Sequence, residues 1–229
     1  MFKEHEIIDE LNRLAERYNI SCAVLYEEYR NKVMSWQYGR GGKGGIHRGW
    51  YCPSPIRDLV IGGINRGKIL KRMPQRGKPA DHEYGFDAGG QLIIVDGPYS
   101  DLHDGPYYRE VILDDGVRTV GLRIGAGLHG AYDELCGISL CTYKNDKIKE
   151  YISAFFHNAR ANKIESFDRE QYQYGENGEL LAATWERFNI HPPVPLLRKV
   201  TYHFFYDSEG RMSHYTAQAD DGIVREYPV

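Results

Sequence analysis

Tyr202-His203-Phe204-Phe205-Tyr206-Asp207-Ser208-Glu209-Gly210-Arg211-Met212-Ser213-His214-Tyr215 reads as a β-hairpin. A strand rich in aromatics runs into a polar Asp-x-x-Gly turn, and a second strand leaves it. The Asp207 side chain can accept hydrogen bonds from the turn backbone, and Gly210 can take the positive φ that closing the turn requires. The same unit recurs at Phe86-Asp87-Ala88-Gly89-Gly90-Gln91-Leu92 and at Tyr174-Gly175-Glu176-Asn177-Gly178-Glu179-Leu180.

Two further turns lie between these copies. Asp114-Asp115-Gly116 separates Tyr107–Leu113 from Val117–Ile124, and Asn145-Asp146 separates Ile138–Tyr143 from Lys147–Phe155. The turn centres fall near Gly90, Gly116, Asp146, Gly178 and Gly210, at intervals of 26, 30, 32 and 32 residues. An interval this regular predicts hairpins stacked edge to edge in one antiparallel meander. Lys147 to Phe156 also fits a helical stripe through Ile148, Tyr151, Ile152, Phe155, Phe156 and Ala159. The hairpins on both sides favour a strand there.

At the other end, Ile7, Ile8, Leu11, Leu14, Ala15 and Tyr18 share one helical face, predicting a helix over about residues 3–18 that lies across the sheet. From Ile20 the order Ile20, Cys22, Val24, Tyr26 alternates as a strand does, and Arg30-Asn31-Lys32 reads as a turn into a strand over Val33–Gln37. The expected fold is α+β and mostly β, a large twisted antiparallel meander with the N-terminal α-helix packed on it. It forms one domain over residues 1–229: the helix and first strands in 1–37, a basic Gly-rich loop in 38–53, and the hairpins in 84–229.

The 229 residues are 41% hydrophobic and 27% charged, ordinary for a soluble globular chain, and the 18 Tyr favour strands. Four cysteines without C-x-x-C spacing read as reduced thiols. The N-terminus lacks an apolar signal core, and no apolar run approaches the ~18 residues of a membrane span. A cytoplasmic protein is expected.

The net charge of −3 hides an asymmetry. Between Tyr38 and Lys78 there are ten Lys or Arg and one acid, Asp58, a local +9 that leaves −12 for the remainder. Six glycines between residues 38 and 50 are interleaved with Arg40, Lys43, His47 and Arg48, and Trp36, Trp50 and Tyr51 flank them. Basic residues with stacking aromatics suit a single-stranded phosphate backbone. They suit docking on an acidic protein equally, and a solvated loop that pairs with the acidic remainder of its own chain is the third reading. The candidate binding residues are Trp36, Arg40, Lys43, Arg48, Trp50 and Arg66.

Two glycine patterns invite a nucleotide reading and fail on context. Gly39–Gly44 satisfies G-x-G-x-x-G, but Gly45, Gly49 and Pro53 prevent the helix that must hold the pyrophosphate. Gly62–Ile69 resembles a phosphate loop, yet Ile69 stands where a Ser or Thr hydroxyl is needed and Pro74 cuts the following helix short. Asp81-His82-Glu83 and Asp101-Leu102-His103-Asp104 could converge on a metal or form an acid/base pair, so His82, Glu83, His103 and Asp104 are the candidates for a metal-assisted hydrolase. Neither cluster has zinc-ligand spacing, and solvated loop charge is the better reading. No catalytic residue, metal or cofactor is assigned.

Tyr206-Asp207-x-x-Gly210-Arg211-Met212 is similar to the YD repeat of Rhs-type polymorphic toxins, Tyr-Asp-x-x-Gly-Arg-Leu. Phe86-Asp87-x-x-Gly90-x-Leu92 and Tyr174-Gly175-x-x-Gly178-x-Leu180 match it in part. The copies here are too few and too far apart to build an enclosing shell, and the motif carries no catalytic residue. What the resemblance implies is a stand-alone bacterial β-rich protein that looks like the immunity proteins accompanying such toxins. The expected function is therefore non-enzymatic protein binding, most concretely neutralisation of a toxin. Single-stranded nucleic-acid binding through the basic segment is the alternative.

Overall fold

The computed structural model describes residues 4–42, 48–57, 66–74, 80–98, 107–126, 132–156, 164, 166–189 and 196–228. In the hairpin of β11 (Leu196–Tyr206) and β12 (Met212–Ala219), the Asp207 amide donates to the Arg211 carbonyl at 2.9 Å and the Gly210 amide to the Asp207 carbonyl at 3.0 Å. Asp207 Oδ1 accepts the amides of Glu209 and Arg211, each at 2.9 Å. The Asp87 turn repeats all four bonds, its side chain taking the amides of Gly89 and Gln91. The Gly175 turn keeps the two backbone bonds without any side-chain acceptor. Backbone geometry therefore makes this turn, with Gly210 at φ 75° where a Cβ would be strained. The aspartate adds two bonds to it.

The remaining strands are β1 (Ser35–Arg40), β2 (Lys68–Ile69), β3 (His82–Phe86), β4 (Leu92–Pro98), β5 (Tyr107–Asp114), β6 (Arg118–Ala126), β7 (Tyr132–Lys144), β8 (Lys147–Phe155), β9 (Ser166–Tyr174), β10 (Leu180–Asn189) and β13 (Val224–Pro228). From β3 to β13 every strand pairs antiparallel with its successor, and β1 lies between β3 and the edge strand β2. The predicted meander is present, as one 13-stranded sheet. Lys147–Phe155 is a strand because both of its faces are covered. Glu150 through Ala154 are buried without interruption, which a helix on a sheet surface does not allow.

The second segment corrects the sequence reading. After α1 (Glu4–Tyr18) and a 3-10 turn (Asn19–Ser21), Cys22–Arg30 forms a second helix, α2, in place of the expected strand. Cys22, Leu25, Tyr26 and Tyr29 recur at helical spacing and pack on the core. Val24, which strand alternation would bury with them, is 63% exposed. The Tyr26 hydroxyl then pins α2 to the sheet, donating to the Asp96 carboxylate at 2.7 Å. Burial raises the pKa of both groups.

The sheet has two differently built faces. On one, Ile94, Val111, Leu122, Ile138, Ala154, Phe167 and Phe188 lie directly opposite one another across seven strands. Ile7, Leu11, Leu14 and Ala15 of α1, with Cys22 and Tyr26 of α2, complete this apolar core. Each aliphatic side chain buried there contributes roughly 1.5–3 kcal/mol. The second face carries a polar row in the same register logic, Gly121, Ser139, Ser153, Asp168 and Arg187, beside Glu110, Arg123 and Glu170. Burying charges requires partners, and residues 48–57 supply several of them alongside groups of the sheet itself.

Candidate functional site

β1 carries the chain to Gly41 and Gly42, and it returns through a 3-10 turn at Gly49–Tyr51 into Cys52–Arg57. The glycines here permit backbone to lie on backbone. A Cβ on Gly42 would stand 2.5 Å from Gly49 Cα, and one on Gly67 would overlap the Arg40 carbonyl. The returning segment is pinned by Tyr84, fully buried on β3, whose hydroxyl donates to the Arg48 carbonyl at 3.0 Å and accepts the Trp50 amide at 3.1 Å. The Tyr51 ring packs edge-on against Tyr84 and Phe86.

From that anchor the segment runs as a strap over the charged face. Arg48 donates from Nε to Glu110 Oε2 at 2.8 Å and from Nη2 to Glu110 Oε1 at 2.6 Å and Ser139 Oγ at 2.8 Å. Burial alone would raise the Glu110 pKa, but the charges of Arg48 and Arg123 outweigh it and hold the carboxyl below its usual value. Further along, the hydroxyls of Ser54 and Tyr172 both donate to Glu170 Oε2. Arg57 Nη1 lies 3.6 Å from Asp168 and 3.9 Å from Glu170. Arg187 closes the row with a bidentate pair to Asp168 at 2.7 and 2.9 Å. Burial raises the Glu170 pKa, against the opposing hydrogen bonds of Ser54 and Tyr172 and the charge of Arg57.

The six candidate residues are therefore not gathered on one surface. Arg48 is buried in its pair with Glu110, and Arg66 donates to the carbonyls of Cys52 and Ser54. Trp36 packs, half-buried, against the core on the helix side. Arg40 is exposed, and Trp50 is 48% exposed. Lys43 lies outside the described residues. For Arg48 and Arg57, pairing with acids of the same chain is the reading that holds.

What remains outward is an edge. Arg40 on β1 stands directly opposite Lys68 on β2, and Lys71 and Arg72 follow, all exposed. The turn bearing Trp50 packs on both strands. Residues 66–74 contain no acid, and Asp81 nearby accepts the Gly41 amide at 2.7 Å.

The residues that sequence reasoning missed are the acceptors Glu110, Asp168 and Glu170, the donors Ser54, Arg57 and Tyr172, and the cations Lys68, Lys71 and Arg72. A usable signal existed in Asp168-Arg169-Glu170, where acids at alternate positions of a strand must share one face. The other chemical readings find no geometry. His82 and Glu83 are neighbours on a strand and project to opposite faces, His82 buried and Glu83 exposed. His103 and Asp104 lie outside the described residues, among which no three His, Cys, Asp or Glu side chains group to hold a metal. The Gly-Lys of 67–68 leads into β2, where a phosphate loop would open a helix. The four cysteines are free thiols, and among the described residues no helix is long and apolar enough to cross a membrane. No protein-family model matches this sequence, and no curated protein compared with it matches either.

Proposed function

We propose that the protein is a non-enzymatic binding protein whose partner is another protein with an acidic surface, most concretely a toxin that it neutralises. One observation carries the reading: Arg40 and Lys68 face each other across the β1–β2 ladder, with Lys71 and Arg72 beside them. Like charges directly opposite in a ladder cost folding stability. An acidic partner relieves that cost on binding and is steered to the edge by it. Trp50, exposed on the adjoining turn, is the kind of aromatic anchor that concentrates binding energy.

The test is coexpression with the product of the gene next to this one. Growth rescued by the wild type and lost when Arg40, Lys68, Lys71 and Arg72 are replaced by Glu supports the proposal. A harmless neighbour, or rescue indifferent to those charges, overturns it. A single-stranded oligonucleotide bound with steep salt dependence would put nucleic acid in the partner's place.

A further inference from the structure

Beneath the C-terminal half of the strap, four buried polar atoms have no hydrogen-bond partner among the described residues: Arg57 Nε, Ser153 Oγ, Glu170 Oε1 and Trp185 Nε1. Their residues are 7%, 3%, 0% and 5% exposed. Arg57, Glu170 and Trp185 are close together, and Ser153 stands on the next strand beside Asp168. Trp185 lies directly opposite Glu170 in the β9–β10 ladder, and Ser153 directly opposite Asp168 in the β8–β9 ladder. Arg57 Nη1 approaches both acids, at 3.6 and 3.9 Å, distances too long for hydrogen bonds. Glu170 Oε2, by contrast, is already taken by Ser54 and Tyr172.

Buried polar groups in folded proteins are almost always satisfied, and polar pairs held beyond 3.5 Å commonly have a water between them. Electrostatics limits the occupant here. Asp168 and Glu170 repel an anion. Arg57 repels a cation, and so do Arg187 and Arg198, whose guanidinium groups lie 5.4 and 5.7 Å from the centre of the Trp185 ring. The donor set is Arg57 Nε–H and Trp185 Nε1–H, the acceptor is Glu170 Oε1, and Ser153 serves either way.

We infer that this place is a binding site for ordered water, which accepts from Trp185 and Arg57 and donates to Glu170. The two anchors of the strap then differ in kind. Arg48 meets Glu110 directly, whereas Arg57 meets Glu170 through solvent.

The test uses the whole chain. A high-resolution crystal structure should place water within ~3.2 Å of both Trp185 Nε1 and Glu170 Oε1. In solution, the Trp185 indole N–H, assigned by its loss in Trp185→Phe, should show a cross-peak to a long-lived water, absent from a solvent-exposed indole. Should Trp185→Phe fail to fold, Ser153→Ala serves as the second variant and should keep the indole–water peak. An indole bonded directly to a protein atom, an ordered anion at the position, or no cross-peak overturns the inference.

Discussion

Arg48 and Glu110 meet over a residue that has no side chain. A Cβ on Gly121 would overlap Arg48 Nη2, Glu110 Oε1 and Ser139 Oγ together, so the glycine in the middle of β6 leaves room for a buried ion pair. Gly121→Ala should therefore push the guanidinium off the carboxylate and leave both charges buried. The expected loss is about 3 kcal/mol, the low end for breaking a buried pair. Urea unfolding of the variant measures it, and a loss under about 1 kcal/mol would mean that the pair rearranges freely.

Removing one partner should cost more than removing both. Arg48→Met alone leaves Glu110 buried beside Arg123 only, at 3.6 Å, and should cost about 3–5 kcal/mol. Arg48→Met with Glu110→Leu should recover part of that loss, because the Glu110 charge is gone, although Arg123 then loses the carboxylate it faces at 3.6 Å. Acid supplies an independent reading. The Glu110 pKa is lowered in the fold, so its contribution is present above the usual 4.5 and is lost as pH falls through the folded value. Stability measured below pH 4.5 should drop less in Glu110→Gln than in the wild type.

Glu170 has the opposite sign. Its folded pKa is raised, so between 4.5 and the folded value the native state holds a proton that the unfolded chain has released. This group's effect on stability therefore worsens as pH rises through that window. Glu170→Gln keeps an oxygen for Ser54 and Tyr172 and removes the charge. It should equal or exceed the wild type in unfolding midpoint near neutral pH, and the advantage should vanish towards pH 4.5. A variant that is weaker at neutral pH by more than about 1 kcal/mol would show that the carboxylate is needed charged.

Much of the sheet was legible because a hairpin is a local object. Asp-x-x-Gly between aromatic strands specifies its own turn at Asp87 and Asp207, and with three further turns of other composition the near-even spacing points to a meander. The second helix was not legible. Cys22, Val24 and Tyr26 satisfy strand alternation as well as Cys22, Leu25, Tyr26 and Tyr29 satisfy a helix, and only packing on the core decides between them. The strap was half legible. Its charge asymmetry was visible, but whether Arg48 points inward depends on Glu110, 62 residues away, and on Gly121, whose role is to be small. Long-range pairing of this sort leaves no periodicity to read.

The three related turns separate backbone from side-chain contributions. Asp207→Ala removes an acceptor from two exposed amides that water can serve, and the Gly175 turn already lacks that acceptor. A loss of about 1 kcal/mol or less is expected. Gly210→Ala forces a Cβ onto a residue at φ 75° and should cost about 1–2 kcal/mol. If thermal unfolding ranks them the other way, the aspartate and not the glycine is what closes the turn.

Lys68 sets stability against binding. Opposite Arg40 it is a like-charge neighbour, and Lys68→Glu would make the pair attractive, gaining about 0.2–1 kcal/mol. If the edge serves to receive an acidic partner, the same substitution should slow association, and the deficit should shrink as salt is raised beyond the ~10 Å screening length at 0.1 M. Both effects are measurable on one variant, by denaturant titration and by association rate against ionic strength. Greater stability with unchanged association would make Lys68 dispensable for binding. Lower stability would mean that the Arg40–Lys68 contact is relieved within the protein itself, removing the observation on which the basic edge was assigned its role.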